Sequence, residues 1–194
     1  MIGPPDATNW EGIAHWKPWR PEEVSTVLQG IDIPWCIVGG WALDVWREKE
    51  TRPHEDLEIA IPRSRFSEIR QQLAGFKLFV VGDGEVHPLE AGTIPPLDRH
   101  QIWVLDEAAN TWRLDIFLEP GDARTWIFRR DERVHGPRSH FVAVSGQGLP
   151  YLKPEAVLLY KAKANRTKDE FDLACALPPM DRTARSRLRA PLHS

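Results

Sequence analysis

The spacing of apolar and polar positions changes repeatedly along the chain. Residues 1–19 carry no period and mix proline, glycine and polar residues with Trp10, Trp16 and Trp19, which predicts an irregular arm packed by its tryptophans. Pro21-Glu22-Glu23 places proline and two acids in a first helical turn, and Gly30 ends that helix. Residues 33–38 form an apolar run that reads as a strand, Gly39-Gly40 closes it, and residues 41–49 continue with a helical pattern. After a polar connector at 50–55, residues 56–61 read as a second strand stopped by Pro62. The helix between these two strands allows them to be parallel neighbours.

A helix is predicted over 64–73 from the 3/4 spacing of Phe66, Ile69 and Leu73, with Gly75 as its stop. Residues 76–81 form a third strand, and Gly82-Asp83-Gly84 a turn. Residues 85–99 are read as a loop, 101–105 and 111–118 as a hairpin, 123–128 as a short helix, 131–138 as a charged loop and 141–144 as a short strand. Pro154 opens a helix over 154–166, Thr167-Lys168-Asp169-Glu170 is a capping box for one over 168–176, and a last helix covers 181–188. The sum is an α/β (α+β) class with a mixed sheet over 1–150 and a small helical lobe with a basic tail over 151–194.

Composition narrows the picture only a little. The 194 residues are 42% hydrophobic and 27% charged, ordinary values for one domain with a real core. No window approaches the ~18 consecutive apolar residues of a membrane span, and the N-terminus lacks the basic and apolar segments of a signal peptide. The only cysteines, Cys36 and Cys175, sit in separate apolar runs, so they read as buried thiols of a cytoplasmic protein. A net charge of −3 does not support a nucleic-acid coat, though it leaves room for a local basic groove. Nine tryptophans read mostly as core filling and surface anchors; Trp41 and Trp46, beside the glycine turn, are less clear.

The candidate chemistry lies around the glycine turn. Backbone N–H groups at Gly39 and Gly40, where a helix begins, suit a phosphate; a plain tight turn is the competing reading. Asp56 and Glu58 lie at i and i+2 of a strand and so share a face. Two carboxylates placed so need a cation between them, and Mg²⁺ takes a few carboxylate oxygens together with substrate phosphates. On spacing alone, a solvated edge paired with Arg63 or Arg65 is the stronger reading. Asp115 shifts the balance. Leu114, Ile116 and Leu118 alternate with Arg113, Asp115 and Phe117, so Asp115 faces away from the leucines, with Arg113 as its ordinary partner. Placed beside 56–61, Asp115 would complete a three-carboxylate cluster, as a metal ligand or as the acceptor of a proton from an attacking hydroxyl. Asp44 either faces this site or pairs with Arg47.

Taken together, GGWALD, TRPHEDLEIAIP and RLDIFLEP resemble the aminoglycoside-nucleotidyltransferase branch of the polymerase-β-type nucleotidyltransferases, over roughly residues 35–120. KAKANRTKDEFDLACALPPM looks like the helical tail of small relatives of these enzymes. The resemblance implies a cytoplasmic enzyme that moves a nucleoside monophosphate from ATP or another NTP to a hydroxyl of an acceptor. It implies Mg²⁺ at Asp56, Glu58 and Asp115, and phosphates at Gly39 and Gly40 with Arg52 and His54 nearby. Two positions depart from the pattern: Glu58 replaces the commoner Asp, and Trp41 replaces a Ser after the turn. Lys161, with Lys163, Arg166 and Lys168, gives the C-terminal lobe a basic patch, and Lys161 is placed to reach a phosphate. Asp169 and Asp172 read as helix-cap and intrahelical partners. The implied acceptor is an aminoglycoside-like small molecule. An RNA or protein acceptor, and a silent nucleotide- or partner-binding module, are the alternatives.

Overall fold

The computed structural model describes residues 14–162 and 167–182. The expected helix at 181–188, Trp10 of the arm, Lys163 and Arg166 fall largely or wholly outside these. One mixed sheet organises the chain. Its strands are β1 (His15–Trp16), β2 (Cys36–Ile37), β3 (Glu58–Pro62), β4 (Lys77–Gly82), β5 (Glu85–Pro88), β6 (Gln101–Asp106), β7 (Thr111–Glu119), and, beyond a separate pair β8 (Thr125–Ile127) and β9 (His135–Pro137), β10 (Val142–Val144) and β11 (Pro150–Leu152). The order across the sheet is β10-β11-β2-β3-β7-β6-β4-β5, with β1 joining the start of β7. The helices are α1 (Pro21–Val27), α2 (Gly39–Arg47), α3 (Phe66–Gln72), α4 (Arg138–Phe141), α5 (Pro154–Lys161) and α6 (Thr167–Ala176).

The alternation on β7 holds. Leu114, Ile116 and Leu118 are buried in the main core with Ile59 and Ile61 of β3, Val24 of α1 and Phe66 and Ile69 of α3. Burial of such side chains, at about 25 cal/mol per Å², dominates the stability of the sheet. The opposite parity, Asp115 and Phe117, pairs with Trp103 and Gln101 on β6 and with Glu58 and Ala60 on β3. A bulge opposite Val104/Leu105 reverses the parity at the start of β7, so Trp112 joins Phe79, Leu105, Trp16 and Trp103 in a second cluster.

Three expectations are corrected. β2 and β3 are antiparallel, and the parallel partner of β3 is β7. Helix α2 and connector 48–57 make an excursion that returns to its origin, where Val38 N–H donates to the Glu58 carbonyl at 2.9 Å. Within 85–99, β5 forms a hairpin with β4, because Asp83 and Gly84 take φ of 55° and 79° and turn the chain tightly. Residues 123–128 hold a strand in place of a helix. The Asp122 carboxylate accepts the backbone N–H of Arg124 and Thr125, each at 2.7 Å, and launches the β-forming run Thr125-Trp126-Ile127, which pairs with β9 inside the supposed charged loop.

Strand β11 pairs in parallel with β2, and α5 packs on α2, so residues 150–161 continue the sheet domain. Cys36 is fully buried, whereas Cys175 is half-exposed. No helix among the described residues is long and apolar enough to cross a membrane.

Candidate active site

A cavity of about 410 Å³ opens on the Asp115 face of the sheet. Its lining includes Gly39, Asp56, Glu58, Gln101, Trp103 and Asp115, together with Glu119, Trp126, Arg129, Arg130, Tyr160 and Lys161. Glu58 and Asp115 are register partners on parallel strands, and Asp115 N–H donates to the Leu57 carbonyl at 2.9 Å. The three carboxylates singled out from the sequence therefore share one cavity. The edge reading of Asp56 and Glu58 fails: Arg63 donates to the Pro96 carbonyl at 3.2 Å, and Arg65 pairs with Glu68. Arg113, the ordinary partner foreseen for Asp115, sits on the bulge and pairs with Asp106 at 3.0 Å.

Asp115 is 3% exposed. Its Oδ2 accepts the Gln101 amide at 2.6 Å, while Oδ1 is buried without a hydrogen-bond partner. Burial, and next the charge of Glu58, push the Asp115 carboxyl well above the usual carboxylate range; the Gln101 hydrogen bond opposes the rise. The Trp103 indole N–H favours the charged form slightly but lies outside hydrogen-bond geometry.

Gly39 has φ of +63°, and a Cβ there would fall 1.5 Å from Glu58 Oε2, so the Glu58 carboxylate lies directly against the start of α2. No side chain caps that helix at Val38. A Cβ on Gly40 would meet Arg52 Nη2 at 2.4 Å and His54 Cε1 at 2.7 Å. These two residues back the turn and do not line the cavity. His54 Nε2 bonds Asp44 Oδ2 at 2.6 Å with both side chains buried, and its ring stacks on Trp41 at 4.3 Å. Trp41 is thus a packing residue, with the Arg20 guanidinium also over its ring at 4.6 Å.

Asp44 neither faces the cavity nor pairs with Arg47. It accepts Thr51 Oγ1 at 2.6 Å and Thr51 N–H at 3.1 Å, and Arg47 instead donates to the Cys175 carbonyl at 2.9 Å. Arg52 is forked onto Asp172 at 2.9 and 3.0 Å. Lys161 lines the cavity, but its ammonium is held by Asp169 at 2.9 Å and Asp172 at 2.8 Å. These acids tie α6 to α5 and to the connector, pairings between elements that their reading as helix-cap and intrahelical partners did not include. Lys168 approaches Glu55 at 3.6 Å.

Residues 22–174 match the family described as Aminoglycoside-2''-adenylyltransferase. The chain belongs to that family. Adenylyltransferases of this kind are enzymes that transfer a nucleotidyl group, which agrees with a glycine turn facing carboxylates on paired strands. Among solved structures, the fold is similar to the lincosamide antibiotic adenylyltransferase LnuA with lincomycin bound, with a TM-score of 0.55 at 16% identity over 79% of this chain and 91% of that one. ANT(2'')-Ia in complex with adenylyl-2''-tobramycin gives a TM-score of 0.48 at 15% identity over 87% of this chain and 83% of that one. No curated protein matches by sequence.

Sequence reasoning missed Gln101, Trp103, Arg129 and Tyr160 as lining residues of this cavity. Gln101 and Trp103 carried a signal, since they alternate with Ile102 and Val104 on the strand paired with Asp115. Arg129 carried none, because it lies in a turn whose hairpin was unforeseen.

Proposed function

We propose that the protein transfers a nucleoside monophosphate, from ATP above other NTPs, to a hydroxyl of a small molecule. The observation that carries this reading is the convergence of Asp56, Glu58 and Asp115 on one cavity beside the glycine start of α2. The helix N-terminus there offers backbone N–H groups and a positive dipole end to phosphate oxygens. The acceptor oxygen bonds to the α-phosphorus as the bond from that phosphorus to the bridging oxygen breaks, and the bond pair leaves on pyrophosphate. Asp115, in register with Glu58 on the cavity wall, takes the hydroxyl proton.

The donor set fits a hard divalent cation such as Mg²⁺. Asp115 Oδ1 is buried and unpartnered beside a second carboxylate, an arrangement that a cation would relieve. Among the described residues no three His, Cys, Asp or Glu side chains stand together as a metal site, so water and phosphate would have to supply the ion's other ligands. Asp56 and Glu58 would hold it, and when bound it neutralises charge on the phosphoryl oxygens. The test is pyrophosphate release from ATP with Mg²⁺ across a panel of hydroxylated antibiotics, wild type against Asp56→Asn. Release that survives in the variant overturns the reading.

A further inference from the structure

The basic side chains suggested by the sequence for the triphosphate are largely committed elsewhere. Arg52 is forked onto Asp172, and Lys161 is clamped by Asp169 and Asp172. A triphosphate leaving as pyrophosphate carries several negative charges, and helix N–H groups alone neutralise only part of them. Arg129 and Arg130 are the other two cations on the cavity wall. Arg130 is exposed; its guanidinium donates to the Tyr160 carbonyl and lies 5.4 Å from the Tyr160 ring.

Arg129 differs in three respects. It is half-buried, and no carboxylate among the described residues pairs with it, since nearby Glu119 is taken by Arg138 and Asp131 by Arg133. Its backbone is fixed. Phe128 N–H donates to the Val134 carbonyl at 2.8 Å and Asp131 N–H donates to the Phe128 carbonyl at 3.0 Å, which closes the turn that carries Arg129. Its charge is felt inside the protein: after burial, Arg129 is the next cause that lowers the His100 pKa. A guanidinium without a carboxylate partner among the described residues, on a hydrogen-bonded turn lining the same cavity as the carboxylate cluster, is arranged to fork onto phosphate oxygens.

We propose that Arg129 binds the β- and γ-phosphates of the nucleotide and holds the pyrophosphate as it leaves, in the place the sequence suggested for Lys161 and Arg52. The inference rests on the nucleotidyl-transfer reading above. Calorimetry with ATP, AMP and pyrophosphate, each with Mg²⁺, tests it on wild type, Arg129→Ala, Arg129→Gln and Arg129→Lys. Arg129→Ala and Arg129→Gln are expected to weaken ATP and pyrophosphate about 10- to 100-fold and AMP about twofold or less, with partial recovery in Arg129→Lys. Equal binding of ATP and pyrophosphate in wild type and Arg129→Gln overturns the proposal, as does an equal loss of AMP and ATP, which marks a structural role. A wild type that binds no NTP overturns the nucleotidyl-transfer reading instead. Where Arg129→Ala does not fold, thermal melts of the Gln and Lys variants establish that these two carry the test.

Discussion

Glu58 on β3 and Asp115 on β7 stand opposite each other in register on parallel strands, with Asp115 almost fully buried. The Asp115 position is unfavourable for a carboxylate, because burial and next the charge of Glu58 oppose its ionisation. Asp115→Asn keeps the size of the side chain and an oxygen for the Gln101 amide, and it removes the repulsion. The variant is expected to melt no lower than wild type in the absence of divalent cation, while turnover falls by about 10²–10⁴ as a proton acceptor is lost. Thermal melts paired with pyrophosphate release check this. A variant that turns over normally removes Asp115 from the chemistry.

The two glycines of the turn are expected to fail differently when a methyl group is added. At Gly39 the new Cβ meets the tip of a flexible side chain, Glu58, at 1.5 Å, and the backbone must keep φ of +63°. Alanine there should cost about 1–3 kcal/mol of stability and a larger share of activity, because Glu58 has to swing out of the cavity. At Gly40 the obstacles are Arg52 and His54, each fixed by a carboxylate. Gly40→Ala should therefore lose mainly stability. Melts and turnover measured on both variants separate the two; a Gly40→Ala protein as stable as wild type contradicts the packing argument.

His54 illustrates what the chain did and did not disclose. Its place two residues before Asp56 suggested a neighbour of the triphosphate, and it is instead the buried partner of Asp44 and the stacking surface for Trp41. Asp115 was legible because strand parity is local and alternation over 114–118 is set by the backbone; Asp56 reaches the same cavity from the connector just before β3 and not from the strand expected to hold it. That β3 and β7 are neighbours was not legible from parity, and came from the resemblance of the combined motifs. The direction of β2 against β3 was misread for the same reason, since it depends on how far the connector returns. Ion pairs such as Arg52 with Asp172 join residues 120 positions apart, and no local pattern encodes them.

The Asp44–His54 pair should be a stability element and not a catalytic one. Burial raises the Asp44 carboxyl, but hydrogen bonds from His54 and Thr51 outweigh it and hold the carboxyl below its ordinary value. Asp44→Ala strands His54 and the Thr51 hydroxyl without their acceptor, at a cost of about 3–5 kcal/mol for breaking a buried pair. Denaturant melts should show this loss, with KM for ATP unchanged in the fraction that remains folded. A large rise in KM with little loss of stability would return His54 to the nucleotide.

Asp172 ties helix α6 to α5 and the 48–57 connector through charge. Its carboxylate binds Arg52 and Lys161 at once, and all three side chains are largely buried. Burial alone would raise its pKa; the Arg52 and Lys161 hydrogen bonds outweigh that and lower it. With the folded pKa depressed, this stabilisation is fully present above the unfolded carboxylate pKa of about 3.9 and disappears as pH falls through the lower folded value. Asp172→Asn should cost about 3–5 kcal/mol at neutral pH, since two buried cations lose a shared anion and only Asp169 remains for Lys161. The difference between wild type and variant should shrink steadily as pH drops below about 4. Urea melts of both proteins at pH 7 and at several acidic values check the sign and the window. A difference that stays constant down to acid pH would mean that Asp172 contributes through packing and not through its charge.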